Sequence, residues 1–189
     1  MSLEEQIAER MERGDFKAAA TISLQGLGPQ VLGYLTAVLR DEDDARDVFS
    51  QFAEDLWKGL PGFRGECSFR AWAFRLAWHA AARFARDPYR KRGRPIRTTE
   101  ISRIAASVRS LPSFRPGGRA ERLLRLRETL EPEEQTLLIL RLDKELPWEE
   151  VAHVLSQGGA PVAPAALRKR FERLKEKLGK MAKDEGLLD

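Results

Sequence analysis

The segment DEDDARDVFSQFAEDLWKGL, residues 41–60, sets Val48, Phe52, Leu56 and Leu60 four positions apart behind a run of aspartates. Fourfold spacing lines these side chains along one face of an α-helix, and aspartates at its start cap the first turn and complement the helix dipole. Helical rather than alternating periodicity prevails elsewhere as well. It is punctuated by proline and glycine at Gly26–Pro29, Gly59–Gly65, Gly93–Pro95, Pro112–Gly118 and Gly158–Pro164. The pattern predicts an all-α protein whose helices lie between these breaks.

Two of the expected helices carry basic stripes. Projected from Ser68 as N-cap, Phe69, Ala73, Leu76, Ala80 and Phe84 fall on one face, and Phe74, Trp78, Ala81 and Ala85 on another. Arg75, His79 and Arg86 lie between the two, with Trp72 and Arg83 at the border. Nearer the C-terminus, Leu167, Phe171, Leu174 and Leu178 form a core face, while Lys169, Arg170, Arg173 and Lys177 share a different one. Ahead of that helix, Trp148, Val151, Ala152 and Leu155 mark a short amphipathic helix, so the pair reads as a helix-turn-helix. Pro132 and Pro147 stand where two further helices begin. Between the halves, only TTEISRIAASV is amphipathic, through Ile101, Ile104, Ala105 and Val108. The expectation is a linker carrying one short helix.

Charge sharpens this picture more than composition does. The chain has 189 residues, 42% of them hydrophobic, enough for one ordinary domain or two small ones. Its net charge of +4 hides a strong segregation. Residues 41–55 carry a net −6, whereas 83–97 and 168–183 each carry +6. Two basic stretches suit two DNA contacts, and the acidic one suits a protein partner. Cys67 is the only cysteine, which excludes an intrachain disulfide and a thiolate metal cluster and fits a reducing cytoplasm. The charged N-terminus has no apolar signal-like core, and no stretch is long enough to span a membrane, so a cytoplasmic protein is expected.

The stretch FRGECSFRAWAFRLAW, residues 63–78, mixes five aromatics with three arginines. Most of its rings read as core. The glycine-bearing loop GFRGECS beside a basic helix could still hold a base pulled from its stack, since stacking offsets the cost of unstacking.

In this order, the segments resemble the extracytoplasmic-function group of sigma-70 family factors, which keep only regions two and four. DARDVFSQFAEDLW is similar to the region-two helix that grips the clamp helices of the RNA polymerase β′ subunit. FRGECSFRAWAFRLAWHAAARF resembles the segment that reads the minus-ten element and melts it. LEPEEQTLLILRLDKELPWEEVAHVL followed by LRKRFERLKEKL resembles region four, which binds the minus-thirty-five element and the β flap. The resemblance implies two small helical domains, a region-two bundle at 1–94 and a region-four helix-turn-helix at 120–189, joined by a flexible linker at 95–119.

It further implies a transcription initiation factor with no catalytic centre and no cofactor of its own, acting with core RNA polymerase and promoter DNA. Such factors are often held by an anti-sigma partner. Asp44, Asp47, Val48 and Gln51 would contact polymerase. Phe63, Arg64, Glu66, Ser68, Phe69 and Trp72 would surround a flipped minus-ten base, and Arg75, His79 and Arg83 would engage DNA. Arg168, Lys169, Arg170 and Arg173 would read or anchor the minus-thirty-five duplex. Ser50 stands where the family commonly has glutamine, His79 and Arg83 replace its frequent asparagine and aspartate, and the connection SQGGAPVAP lacks its usual Gly-Thr. An autonomous helix-turn-helix regulator would explain the C-terminal half but would leave the acidic helix and aromatic loop idle. A di-iron enzyme would need more than the single Glu150/His153 pair.

Overall fold

The computed structural model describes residues 1–86, 100–110, 119–156 and 160–187, which form nine α-helices in two compact units, 1–111 and 112–189. The expected basic stretch beyond Arg86, the ends of the expected linker and the glycine pair of SQGGAPVAP lie outside the described residues.

The first unit is built from α1 (Leu3–Glu12), α2 (Phe16–Leu39), α3 (Glu42–Gly59), α4 (Phe69–Arg86) and α5 (Glu100–Arg109). At its centre is α2, which packs against the other four. The break expected at Gly26–Pro29 does not occur, and α2 runs through it for 24 residues. Glycine serves there as a packing notch rather than a stop. A β-carbon on Gly26 would lie 2.5 Å from Leu3 Cδ2 of α1, and one on Gly28 would lie 3.1 Å from Val108 Cγ2 of α5. Close approach of two neighbours buries α2 along most of its length, which offsets the entropy that glycine costs a helix.

The acidic helix forms as the pattern requires. Asp41 caps α3 by accepting the Asp44 N–H at 2.8 Å, and Val48, Phe52, Leu56 and Leu60 are all buried. Buried with them are Leu24, Val31 and Leu35 of α2 and Phe74 of α4, whose ring meets Tyr34 edge-on at 5.5 Å. Phe69, Ala73 and Ala80 on one face of α4 and Phe74, Trp78 and Ala81 on the other are buried, so that helix is enclosed on two sides.

The short helix expected between the halves is α5, and it belongs to the first unit, packed on α2 and α3. Ala105 and Val108 are buried there. Arg109 donates from Nη1 to Ser50 Oγ, while Arg46 Nε donates to the Arg109 carbonyl at 3.4 Å.

The second unit comprises α6 (Arg119–Glu128), α7 (Pro132–Leu138), α8 (Trp148–Leu155) and α9 (Pro164–Asp184), with a π-helical turn at Ile139–Asp143 continuing α7. Pro132 occupies the first turn of α7, where its missing N–H costs nothing. Helix α9 packs on α6, α7 and α8 through the expected face: Leu167, Phe171 and Leu174 are buried, and Leu178 is partly buried. Trp148 closes on Phe171 with ring centroids 5.4 Å apart.

Candidate functional site

In the first unit the aromatic loop folds onto itself. The rings of Phe63, Phe69 and Trp72 form one cluster, with centroids 5.0 Å apart for Phe63–Trp72, 5.3 Å for Phe69–Trp72 and 5.5 Å for Phe63–Phe69. Phe69 is buried, while Phe63 and Trp72 are half-buried. Gly59 leaves room for the indole, because a β-carbon there would lie 2.9 Å from Trp72 Cζ2. The chain turns at Gly65, whose φ of +71° suits glycine. Arg64 and Glu66 are exposed around that turn.

Ser68 starts α4 as expected, its Oγ accepting the Ala71 N–H at 3.1 Å. A second cap comes from far along the chain. The Glu4 carboxylate of α1 accepts the Arg70 N–H at 3.1 Å, a long-range contact that no local pattern signals. Between α1 and this loop lies a cleft of about 150 Å³ walled by Glu4, Ile7, Met11, Phe63, Cys67 and Phe69.

On α3, Asp47 is exposed, Asp44 and Gln51 are half-buried, and Val48 is buried in the core beneath them. Val48 therefore carries the face from below rather than standing on it. Gln51 donates to Asp55 Oδ1 at 2.9 Å, and the other oxygen of that carboxylate takes the Arg83 guanidinium. Sequence reasoning assigned Gln51 and Arg83 to separate sites and missed Asp55 altogether. Arg75 and His79 are half-buried on α4.

In the second unit, Arg168, Lys169, Arg170 and Arg173 are exposed along α9. Arg170 pairs with Glu133 at 2.6 Å and Lys177 with Glu134 at 2.7 Å, both acids standing in the first turn of α7, and Arg168 reaches Glu149 of α8 at 3.8 Å. A duplex drawn to α9 would exchange these carboxylates for phosphates. Burial pushes the Glu134 carboxyl up, but the Lys177 hydrogen bond and charge, with the Glu131 N–H, outweigh it and hold the group below its usual 4.5. The unfolded chain then takes up this proton first on acidification. The pair's contribution is present above about pH 4.5 and lost as pH falls through the lower folded value. Glu134→Gln is expected to remove that part of the acid dependence, read as a flatter unfolding temperature of the second unit below pH 5.

A family model described as Sigma-70 region 2 matches residues 24–92, a span that takes in most of α2 with α3, the aromatic loop and α4. Through these residues the chain is similar to the sigma-70 factors. Among its relatives, the RNA polymerase sigma-H factor of Pseudomonas aeruginosa is 26% identical over 186 residues, covering 94% of this chain and 92% of the relative. The RNA polymerase sigma factor YlaC of Bacillus subtilis is 27% identical over 161 residues, covering 82% and 90%. Both alignments extend well beyond the region-two match, so the likeness includes the second unit. No helix among the described residues is long and apolar enough to cross a membrane.

Proposed function

We infer that this chain is a transcription initiation factor that directs core RNA polymerase to promoters. The observation that carries this reading is the continuous region-two match across α2, α3 and α4, within which the aromatic cluster and the acidic helix both fall. Asp44, Asp47 and Gln51 on α3 would meet the basic β′ clamp helices, with Val48 fixing the helix from beneath. The acidic charge of this surface favours such a partner and speeds encounter with it.

The loop around Phe63, Arg64, Glu66, Ser68 and Phe69, together with Trp72, would receive an unstacked minus-ten base, and Arg75 and His79 would lie along the melted strand. Rings supply stacking that any base accepts, and cations supply affinity for phosphate. Helix α9 would enter the minus-thirty-five major groove through Arg168, Lys169, Arg170 and Arg173, and the second unit would also meet the β flap. The chemistry of RNA synthesis would remain with the polymerase, in the cytoplasm.

Transcription by purified core polymerase on genomic fragments, with and without the protein, tests this directly. Discrete start sites are expected only when the protein is added. Lys169→Ala and Arg173→Ala should weaken promoter binding and lower its salt slope by roughly 0.9 for each phosphate that is no longer neutralised. If the protein binds duplex DNA but forms no complex with core polymerase, the reading fails.

A further inference from the structure

Asp55 ties together two surfaces that the proposed function gives to different partners. It stands on α3 one turn beyond Gln51, which belongs to the proposed polymerase face. It reaches across to Arg83 near the end of α4, the helix of the proposed minus-ten face. One carboxylate oxygen accepts from Gln51 Nε2 at 2.9 Å, and the other takes the Arg83 guanidinium. With both oxygens engaged, the carboxylate is held in one orientation, and its side chain is only 23% exposed. Lys58 and Lys175, by contrast, pair with acids on their own helix, Glu54 and Glu172. Such local pairs leave the spacing between helices unconstrained, whereas the Asp55–Arg83 pair spans two helices.

Moving the Arg83 guanidinium to a phosphate would leave Asp55, only 23% exposed, without its cation, whereas Glu133, the partner of Arg170, is 56% exposed and can be solvated when its arginine leaves. A hydrogen-bonded, charge-assisted pair between two helices constrains their separation and rotation. We propose that Asp55 is a positioning residue that clips α4 to α3 through Arg83 while orienting Gln51, so that the polymerase face and the minus-ten face keep a fixed spacing, and that Arg83 acts within the fold rather than on DNA. The inference rests on the reading of the chain as a polymerase-bound initiation factor, and it revises the DNA role that the sequence suggested for Arg83.

The test is a charge swap in the full chain. Asp55→Arg and Arg83→Asp are made singly and together, and each variant is assayed for promoter-dependent transcription with core polymerase, for core affinity and for thermal unfolding of the first unit. Each single variant places like charges face to face and is expected to lose at least tenfold in transcription. The double variant restores the pair with its ends exchanged, the guanidinium at position 55 donating to Gln51 Oε1 once that amide turns over, and should return to within about threefold of the parent in transcription, with the unfolding temperature recovered as well. Arg83→Gln should leave the salt slope of promoter binding unchanged, which a phosphate contact would not.

If the double variant unfolds like the parent and binds core polymerase but transcribes no better than Arg83→Asp, Arg83 contacts DNA and the proposal is overturned. A fall in salt slope of about one with Arg83→Gln overturns it equally. If the parent itself gives no promoter-dependent transcription, the functional reading falls and takes the spacing role with it. The unfolding cycle then still decides whether the clip exists.

Discussion

Trp72→Ala is expected to impair promoter opening strongly while leaving the chain able to bind core polymerase. The indole stands in the centre of the loop cluster, within 5.0 Å of the Phe63 ring and 5.3 Å of the Phe69 ring, and its edge lies over Gly59. On the proposed reading, removing it would cost the unstacked base a stacking partner worth ~1–3 kcal/mol, or about fivefold to more than a hundredfold in occupancy. It also takes from Phe63 one of the two rings that hold it. Both losses fall on the melted state, so the defect should appear as thymines of the minus-ten region that stay unreactive to permanganate, with core affinity little changed. Gly59→Val attacks the same ring from below, because its β-carbon would lie 2.9 Å from Cζ2. It should give a weaker form of the same defect. Loss of core binding in parallel with loss of opening would show that Trp72 supports the fold rather than the melted strand.

The second large effect is on stability. Phe49→Ala is expected to destabilise the first unit by about 3–5 kcal/mol, the range for deleting a fully buried phenyl ring. Phe49 is 0% exposed, packs against Phe52 at 5.5 Å, and approaches α2 at Gly28, where its Cζ lies 3.3 Å from the place a β-carbon would take. Rigid helices on both sides limit how far the cavity can close. A loss of that size is a large share of the stability of a small domain, so polymerase binding should fall with it. Denaturant unfolding followed by circular dichroism should show one transition moved to lower denaturant and the transition of the second unit unmoved. A cost below about 1 kcal/mol would mean that α2, α3 and α5 collapse into the space.

Periodicity located the acidic helix, the double-faced α4 and the core face of α9 because each writes its burial into spacings of three and four residues. It misread Gly26–Pro29, since a glycine that stops a helix and one that admits a neighbour look identical until the neighbour is known. Leu3 and Val108, the side chains that fill those notches, lie 23 residues before and 80 after the glycines they meet. The capping of α4 by Glu4 was hidden for the same reason, as was Asp55, which reads as one more charge in an acidic segment. For Val48, candidacy for the polymerase face came from the resemblance, while its place on the apolar stripe already pointed inward.

By itself the sequence determined an all-α chain, the positions of its amphipathic helices, the separation of acidic from basic surface and the order of segments that resembles a sigma factor. These are local properties, set by side-chain period, capping residues and charge within a few turns of one helix. Only the tertiary structure decided that α5 docks on the first unit through Val108 and Arg109, that the three rings converge at the loop, and that Asp55 joins Gln51 to Arg83. Each of these depends on which faces meet, and that is settled by packing between helices distant in the chain, where every helix must bury its apolar stripe at once.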